Sequence, residues 1–361
     1  MTKLTFIGDI FPGDEIFTVG FGIKSKSTLD RVHQWAGNIS NTIGKADYIV
    51  GNLESPLIDK LFAKNNTFFG STLFANVLKE SGVNVLSIAN NHILEHGTEG
   101  FEQTVRLLKD KGIKTIGQNE NGAPSILTIK HGDITICLSG FCDEKVCNIE
   151  NPRCYASLVE NDILETLEKM KANHADIIIF VFHWGNEYIQ MPSLEQKALA
   201  HKLIDKGANL IIGHHPHVIQ PYEKYHGGHI VYSLGNFCFD DVQSEHFGRG
   251  MAVKIYVEGK AIQDITFTGI SVQDMAYGDD LVRPMPDKSF KQYFADINNE
   301  YQKVYNLSDE NYQKLYDARL QKLHSRERVQ MRKDIIKKAL DPFHRHKVQF
   351  LKNIINFITN H

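Results

Sequence analysis

The 361-residue sequence predicts an α/β protein, with stacked strand–helix–strand units over roughly the first 270 residues and a helical C-terminal region after them. Three observations lead there. Short runs of Val, Ile, Leu and Phe recur, nearly continuous in apolar residues, as strands covered on both faces require. Amphipathic helical patterns fill the intervals between those runs. After Arg283-Pro284-Met285-Pro286 the strand signal stops.

In chain order, strands are expected at 4–7, 48–50, 83–88, 114–116, 177–182, 209–212 and 230–233. Hairpins are expected at His131-Gly132-Asp133, joining 125–129 to 134–138, and at Glu258-Gly259-Lys260. A helix over 100–111 puts Phe101, Val105 and Leu108 on one stripe and stops at Gly112. Another over 194–206 is opened by Ser193, with Gln196 three residues on as a capping box, and stops at Gly207. Residues 289–340 read as helix, with Tyr312, Leu315, Tyr316, Leu320 and Leu323 at helical spacing. A last amphipathic segment, 347–358, aligns Leu351, Ile354, Ile355 and Ile358. The expected domains are 1–275 and 285–361.

A 42% hydrophobic and 23% charged composition is that of an ordinary globular chain. No run approaches the ~18 apolar residues of a membrane helix. Met1-Thr2-Lys3 leads straight into Leu4 without the apolar stretch of a signal peptide. The chain is therefore expected to be cytoplasmic and without a transmembrane anchor. Cys137, Cys142, Cys147, Cys154 and Cys238 show neither Cys-x2-Cys spacing nor an even count. Free thiols in a reducing compartment are expected, with a redox clasp between 142 and 154 as the alternative.

Charge is unevenly spread. From residue 281 onward there are 16 Lys+Arg against 9 Asp+Glu, a net +7, and the rest of the chain carries −10. The basic region admits three readings: a solvated helical face packed on the body, a dock for an anionic polymer, or a membrane-surface helix at 347–358. Nucleic acid is not the expected partner, because Tyr305, Tyr312 and Tyr316 suit a core stripe better than a stacking platform.

Residues able to do chemistry stand at the strand exits. Asp9 follows the first strand, Asn52 and Glu54 the second, and Asn90-Asn91-His92 the third. His183-Trp184-Gly185, then Gly213-His214-His215-Pro216-His217, then Gly235-Asn236-Phe237 follow the later ones. Open α/β sheets bind ligands at such strand ends. Neutral imidazoles are good ligands for Zn, Mn or Fe, and His-x-His lets His215 and His217 face one metal cluster from one loop. His214, on the alternate face, is a spare. Taken singly, each residue has a plainer reading: Gly8-Asp9 as a turn, Glu54 as a helix cap, Asn91 as a backbone partner, His92 and His183 as packed imidazoles.

Together, Gly8-Asp9, Gly51-Asn52-Leu53-Glu54, Asn90-Asn91-His92 with Gly97, His183-Trp184-Gly185, Gly213-His214-His215-Pro216-His217-Val218 and Ser233-Leu234-Gly235-Asn236-Phe237 resemble the CapA family, associated with bacterial poly-γ-glutamate capsule synthesis. The resemblance spans about residues 3–270. That family is similar in turn to the calcineurin-like metallophosphoesterases. The resemblance therefore implies a four-layer α/β sandwich of the calcineurin-like metallophosphoesterase type with a C-terminal helical extension. It also implies one or two divalent ions (Mn, Fe or Zn) at the strand ends. Asp9 and His217 would serve a first metal, Asn91, His183 and His215 a second, with Glu54 as bridging carboxylate and His92 near the leaving group. Asn52, Asn236 and Arg249, with Lys224, are the expected substrate-binding residues. Two positions depart from the phosphoesterase pattern. Phe11 stands where a histidine ligand would, leaving His33, His96 and Asp14 as candidates to complete the first site. Glu95 stands where an Asp would orient His92.

The function so implied is a metal-dependent hydrolase cleaving a phosphoester or a γ-glutamyl bond in an anionic small molecule or polymer. The alternative is a non-catalytic metal- or polymer-binding component that works with polymer-synthesis proteins.

Overall fold

The computed structural model describes residues 1–14, 16–63, 68–120, 122–146, 154–240 and 248–360. Two sheets stack face to face. The first runs β16 (Val282–Pro284), β15 (Ala261–Val272), β14 (Arg249–Glu258), β1 (Thr2–Phe11), β2 (Tyr48–Leu53), β3 (Val85–Ser87) and β4 (Lys114–Ile116), with β13 (Asn236–Phe239) also on β1. The second runs β11 (Tyr222–Tyr225), β12 (Gly228–Val231), β10 (Leu210–His214), β9 (Ile177–His183), β8 (Ile134–Cys142) and β7 (Leu127–His131). A small hairpin, β5 (Asn119–Glu120) with β6 (Ala123–Pro124), lies apart.

The apolar runs account for the stacking. Along β9, Ile177, Ile179 and Val181 meet Leu4, Phe6, Val50 and Val85 of the first sheet. The alternate residues Ile178, Phe180 and Phe182 face α5 (Glu160–Ala172) and α6 (Leu194–Asp205). Period-two alternation puts both sets in the core, so the strand reads as one unbroken apolar run. The first sheet's outer face is covered by α2 (Leu29–Ile43), α3 (Phe74–Glu80) and α4 (Gly97–Asp110), through Trp35, Ile39, Phe74, Leu78 and Leu108. A single helical turn, α1 (Ile23–Lys26), precedes α2. The expected four layers, helix–sheet–sheet–helix, are what the chain forms.

β1 changes partners in mid-strand. Its first half runs antiparallel to β14, Thr2 opposite Val257 through Phe6 opposite Val253. Its second half runs parallel to β13, with Asp9 opposite Asn236. Gly8 permits the switch: a Cβ there would lie 2.0 Å from the Gly235 carbonyl oxygen. Asn236 therefore opens a strand in the first sheet and does not simply leave the strand at 230–233, which ends at Val231.

The α6 capping box forms as expected: Ser193 Oγ accepts from Gln196 N at 3.1 Å, and Ser193 N donates to Gln196 Oε1 at 2.9 Å. The stretch expected as one helix over 289–340 is two, α7 (Asp287–Val304) and α8 (Asp309–Leu340), because Ser308 caps a new start through Asn311 N. Phe290 and Ile297 of α7 join the intersheet core. Tyr301, Tyr312 and Tyr316 join the outer layer of the second sheet as a core stripe. α9 (Lys347–Asn360) sets Phe350 against Phe17 and Phe21 and leaves Val348, Leu351 and Ile355 exposed. No helix among the described residues is long and apolar enough to cross a membrane. Cys137, Cys142, Cys154 and Cys238 are free thiols; Cys147 lies outside the described residues.

Candidate metal centre

The polar residues at the strand ends converge where the two sheets meet. β1 delivers Asp9, β2 delivers Asn52 with Glu54 just beyond, and the loop after β3 delivers Asn90 and Asn91. The second sheet delivers His183 from the end of β9 and His214, His215 and His217 from the end of β10. Asp9, Asn52, Glu54, His183, His214, His215, His217 and Asn236 are all buried.

Two sets of contacts stand out in the cluster, joined where His215 N donates to Asp9 Oδ2 at 3.2 Å. In one, His183 Nε2 lies 2.8 Å from Asn91 Oδ1 and 3.1 Å from His215 Nδ1. In the other, His217 Nδ1 lies 3.6 Å from Asp9 Oδ2. Glu54 Oε1 stands between them, 3.6 Å from His183 Nε2 and 3.6 Å from His217 Nε2. It accepts no hydrogen bond among the described residues although it is buried. The ligand atoms of Asp9, Glu54 and His183 fall within 4.8 Å of one another, as do those of Glu54, His215 and His217. A buried carboxylate oxygen without a donor, faced by two imidazole nitrogens, fits a divalent cation.

A surrounding layer orients these groups. Asn52 Nδ2 donates to Asp9 Oδ1 at 2.9 Å, and Asn52 Oδ1 accepts from Asn90 Nδ2 at 3.2 Å. Asn236 Oδ1 lies 2.9 Å from His217 Nδ1, which leaves Nε2 directed at Glu54.

Electrostatics are dominated by burial. Burial, with the charges of Asp9 and Glu187, pushes the Glu54 carboxyl well above the usual carboxylate range. Burial also raises Asp9, but the His214 charge and hydrogen bond, with His217 and Asn52, outweigh it and hold Asp9 below its ordinary value. Burial and then the neighbouring imidazoles hold His183 well below the ordinary histidine range. Burial and His217 bring His215 to about 3. His183 and His215 are thus held toward the neutral form, the form that binds metal.

His92 sits at the rim. Its Nδ1 is 2.8 Å from Glu95 Oε1, so the glutamate reaches it despite the longer arm. Phe68 stacks on the His92 ring at 4.0 Å, and Phe11 stacks on Phe68 at 3.9 Å. Phe11 is 5.3 Å from Phe239, which lies 4.8 Å from His217. Phe68, Phe11 and Phe239 therefore form an aromatic wall between His92 and His217.

The three candidates to complete the first site make contacts elsewhere in the structure. His33 is exposed and pairs with Glu80 at 2.6 Å. His96 Nδ1 accepts from Phe62 N and Ala63 N, holding the loop between β2 and α3. Asp14 binds Ser25 N and Oγ and so ties the 13–25 loop. Lys224 is exposed on β11 at the sheet edge. The Arg249 guanidinium lies over the Tyr293 ring of α7 at 4.9 Å.

His214 is a correction. It does not point away: its Nδ1 is 2.8 Å from Asp9 Oδ1. Strand alternation would send His214 and His215 to opposite faces, but His215 adopts φ +93° and His217 φ +56°. The left-handed backbone breaks the alternation and turns successive rings into one cleft. Tyr188 is another omission of the sequence reading, its ring 6.0 Å from that of His217.

A profile of the family described as "Bacterial capsule synthesis protein PGA_cap" matches residues 3–241. The chain belongs to this family. It is 33% identical over 251 residues to the capsule biosynthesis protein CapA of Bacillus anthracis, covering 66% of this chain and 59% of that one. It is 30% identical over 248 residues to the PGA biosynthesis protein CapA of Bacillus subtilis, covering 65% and 63%. The matched region thus spans about three-fifths of the length of these relatives. Among solved structures, the calcineurin-like phosphoesterase YfkN of Bacillus subtilis aligns with a TM-score of 0.45 at 15% identity, covering 86% of this chain and 98% of that one.

Proposed function

We propose that this member of the capsule-synthesis family is a metal-dependent hydrolase that cleaves a phosphoester bond in an anionic substrate. A γ-glutamyl amide is the second candidate bond. The observation that carries the reading is Glu54 Oε1, buried, without a hydrogen bond, and 3.6 Å from imidazoles of both halves. Asp9 and His217 would hold one divalent ion, and Asn91, His183 and His215 another, with Glu54 shared. The chemistry such ions supply is an activated water and neutralisation of charge on the substrate oxygens; Mn, Fe and Zn all suit this donor set.

The chain's own residues do the rest. His92, held through Nδ1 by Glu95, keeps Nε2 available to protonate a leaving oxygen. Stacking on Phe68 fixes the plane of that ring. Asn52, Asn236 and His214 orient the ligands Asp9 and His217, and in this reading they serve the metals more than the substrate. The relatives' names associate them with capsule and PGA biosynthesis. We place the substrate of this chain in the making or trimming of such an anionic polymer.

A second reading, a non-catalytic metal- or polymer-binding component, is favoured by Phe11, a stacked aromatic ring where the resemblance implies a histidine ligand. Turnover of bis(4-nitrophenyl) phosphate by the Mn²⁺-loaded protein separates the two. Hydrolysis that disappears in a folded His217→Ala variant supports the enzyme. Bound metal with no turnover of phosphomonoesters, phosphodiesters or γ-glutamyl polymers selects the second reading.

A further inference from the structure

The segment between β9 and α6 passes directly over the His217 side of the cleft. Tyr188 N donates to Pro216 O at 2.7 Å, which fixes the segment to the histidine loop itself. Tyr188 adopts φ +66°, a left-handed conformation that disfavours a bulky side chain, and its ring stands 6.0 Å from that of His217. A strained non-glycine residue beside a ligand cluster persists only when its surroundings over-determine it. Glu187, next in line, is one of the two charges that raise Glu54.

What over-determines it comes largely from the C-terminal helices. Asn186 Nδ2 donates to Tyr316 Oη at 2.8 Å and Gln190 Nε2 to Tyr293 Oη at 2.6 Å. Tyr312 Oη donates to Pro192 O at 2.7 Å. From the body, Gln220 Nε2 donates to Ile189 O at 2.8 Å and to Met191 O at 3.4 Å. All three tyrosines lie beyond residue 241, where the family match ends.

We propose that α7 and α8 are a strut for segment 185–192, and that the segment presents Tyr188 as a substrate-contacting residue to a phosphoryl-type anion beside His217. Tyr293, Tyr312 and Tyr316 are positioning residues in this scheme. Tyr188 carries an aromatic ring and a phenolic O–H, groups of a kind suited to an anionic oxygen and its attached group. The inference borrows from the hydrolase reading only the class of ligand.

The test uses the full chain. Replacing Tyr293, Tyr312 and Tyr316 together by Phe keeps each ring and removes only its hydroxyl. Hydrogen exchange across 185–192 is expected to rise about tenfold, one hydrogen bond's worth, while amides of Leu210–His214 are unchanged. If the triple variant loosens β10 as well, the pair Tyr293→Phe and Tyr316→Phe, which spares the buried Tyr312, decides the point. Unchanged exchange in 185–192 overturns the strut.

With Mn²⁺ present, Tyr188→Ala is expected to weaken inorganic phosphate binding about tenfold and to raise KM for bis(4-nitrophenyl) phosphate similarly, with kcat changed less than about threefold. The triple variant reproduces that loss, and adding Tyr188→Ala to it changes little more. Phosphate affinity unaffected by Tyr188→Ala overturns the contact. Wild-type protein that binds phosphate without turnover removes the hydrolase reading and leaves this one standing. Turnover with KM unchanged in Tyr188→Ala does the reverse.

Discussion

The two halves of the cleft are built unequally. On the His183 side, Asn91, His183 and His215 already converge at 2.8 and 3.1 Å. On the Asp9 side, Asp9 and His217 stand 3.6 Å apart, and Phe11 stacks against Phe68 nearby. Glu54 is placed alike toward both. Ligand number and prior orientation set metal affinity, so in the proposed two-metal reading one scaffold would supply a tight site and a weak one. Two-step metal binding is the expected signature.

The largest effect should come from the better-built half. His183→Ala removes the ring that touches Asn91, His215 and Glu54, and Mn²⁺ affinity at the tight step should fall by about 100-fold or more. Titration calorimetry with metal analysis measures this. A variant that keeps wild-type affinity and stoichiometry would show that the halves have been assigned the wrong way round. Phe11→His acts on the poorer half by supplying the missing imidazole. It should strengthen the weaker step by about tenfold, roughly 1.4 kcal/mol, less whatever the lost stack on Phe68 costs. If the second step does not move, the aromatic wall, and not ligand count, sets the weakness of that site.

Acid should separate the halves of the metal-free protein. His183 and His215 both have folded values below the ordinary 6.5, His215 at about 3. Below pH 6.5 the unfolded chain binds protons that these buried rings refuse, so stability present above that pH is lost as pH falls, down to about 3 for His215. Glu54 has the opposite sign. Its folded value lies above the ordinary 4.5, so its contribution is present at low pH and fades as pH rises past that value. Thermal melts of metal-free His215→Gln and Glu54→Gln should therefore lose different limbs of the pH profile. His215→Gln should flatten the acid limb by up to about 5 kcal/mol, the worth of a shift from 6.5 to about 3. An acid limb identical to wild type would mean that His215 is solvated in the metal-free protein.

The unequal halves also show what the sequence makes legible. Asp9, Glu54, Asn91, His183, His215 and His217 could be picked out because each follows an apolar run, and strand ends are where such residues collect. The four layers follow from β9 and its neighbours, whose unbroken apolar runs demand cover on both faces. What stayed hidden depended on backbone geometry or on distant pairing. The left-handed turn at His215 reverses the face expected for His214. The switch of β1 from β14 to β13 makes Asn236 a neighbour of Asp9, which no local pattern announces. Tyr312 and Tyr316 are legible as a helical core stripe, but not as the anchors of a segment more than 100 residues earlier.

The smallest effect provides the control for all of these. Ser193 opens α6 ten residues beyond His183; among the described residues its hydroxyl serves Gln196 N within the capping box and neither half of the cleft. Ser193→Ala should cost about 1 kcal/mol of stability, the worth of an N-cap. A domain stable by about 5–15 kcal/mol remains folded after such a loss, so both Mn²⁺ steps should stay where they are. If the tight step weakens while the weak one holds, then α6 and the segment leading into it position the His183 side directly. The inequality of the halves would then lie partly in the scaffold and not in ligand count alone.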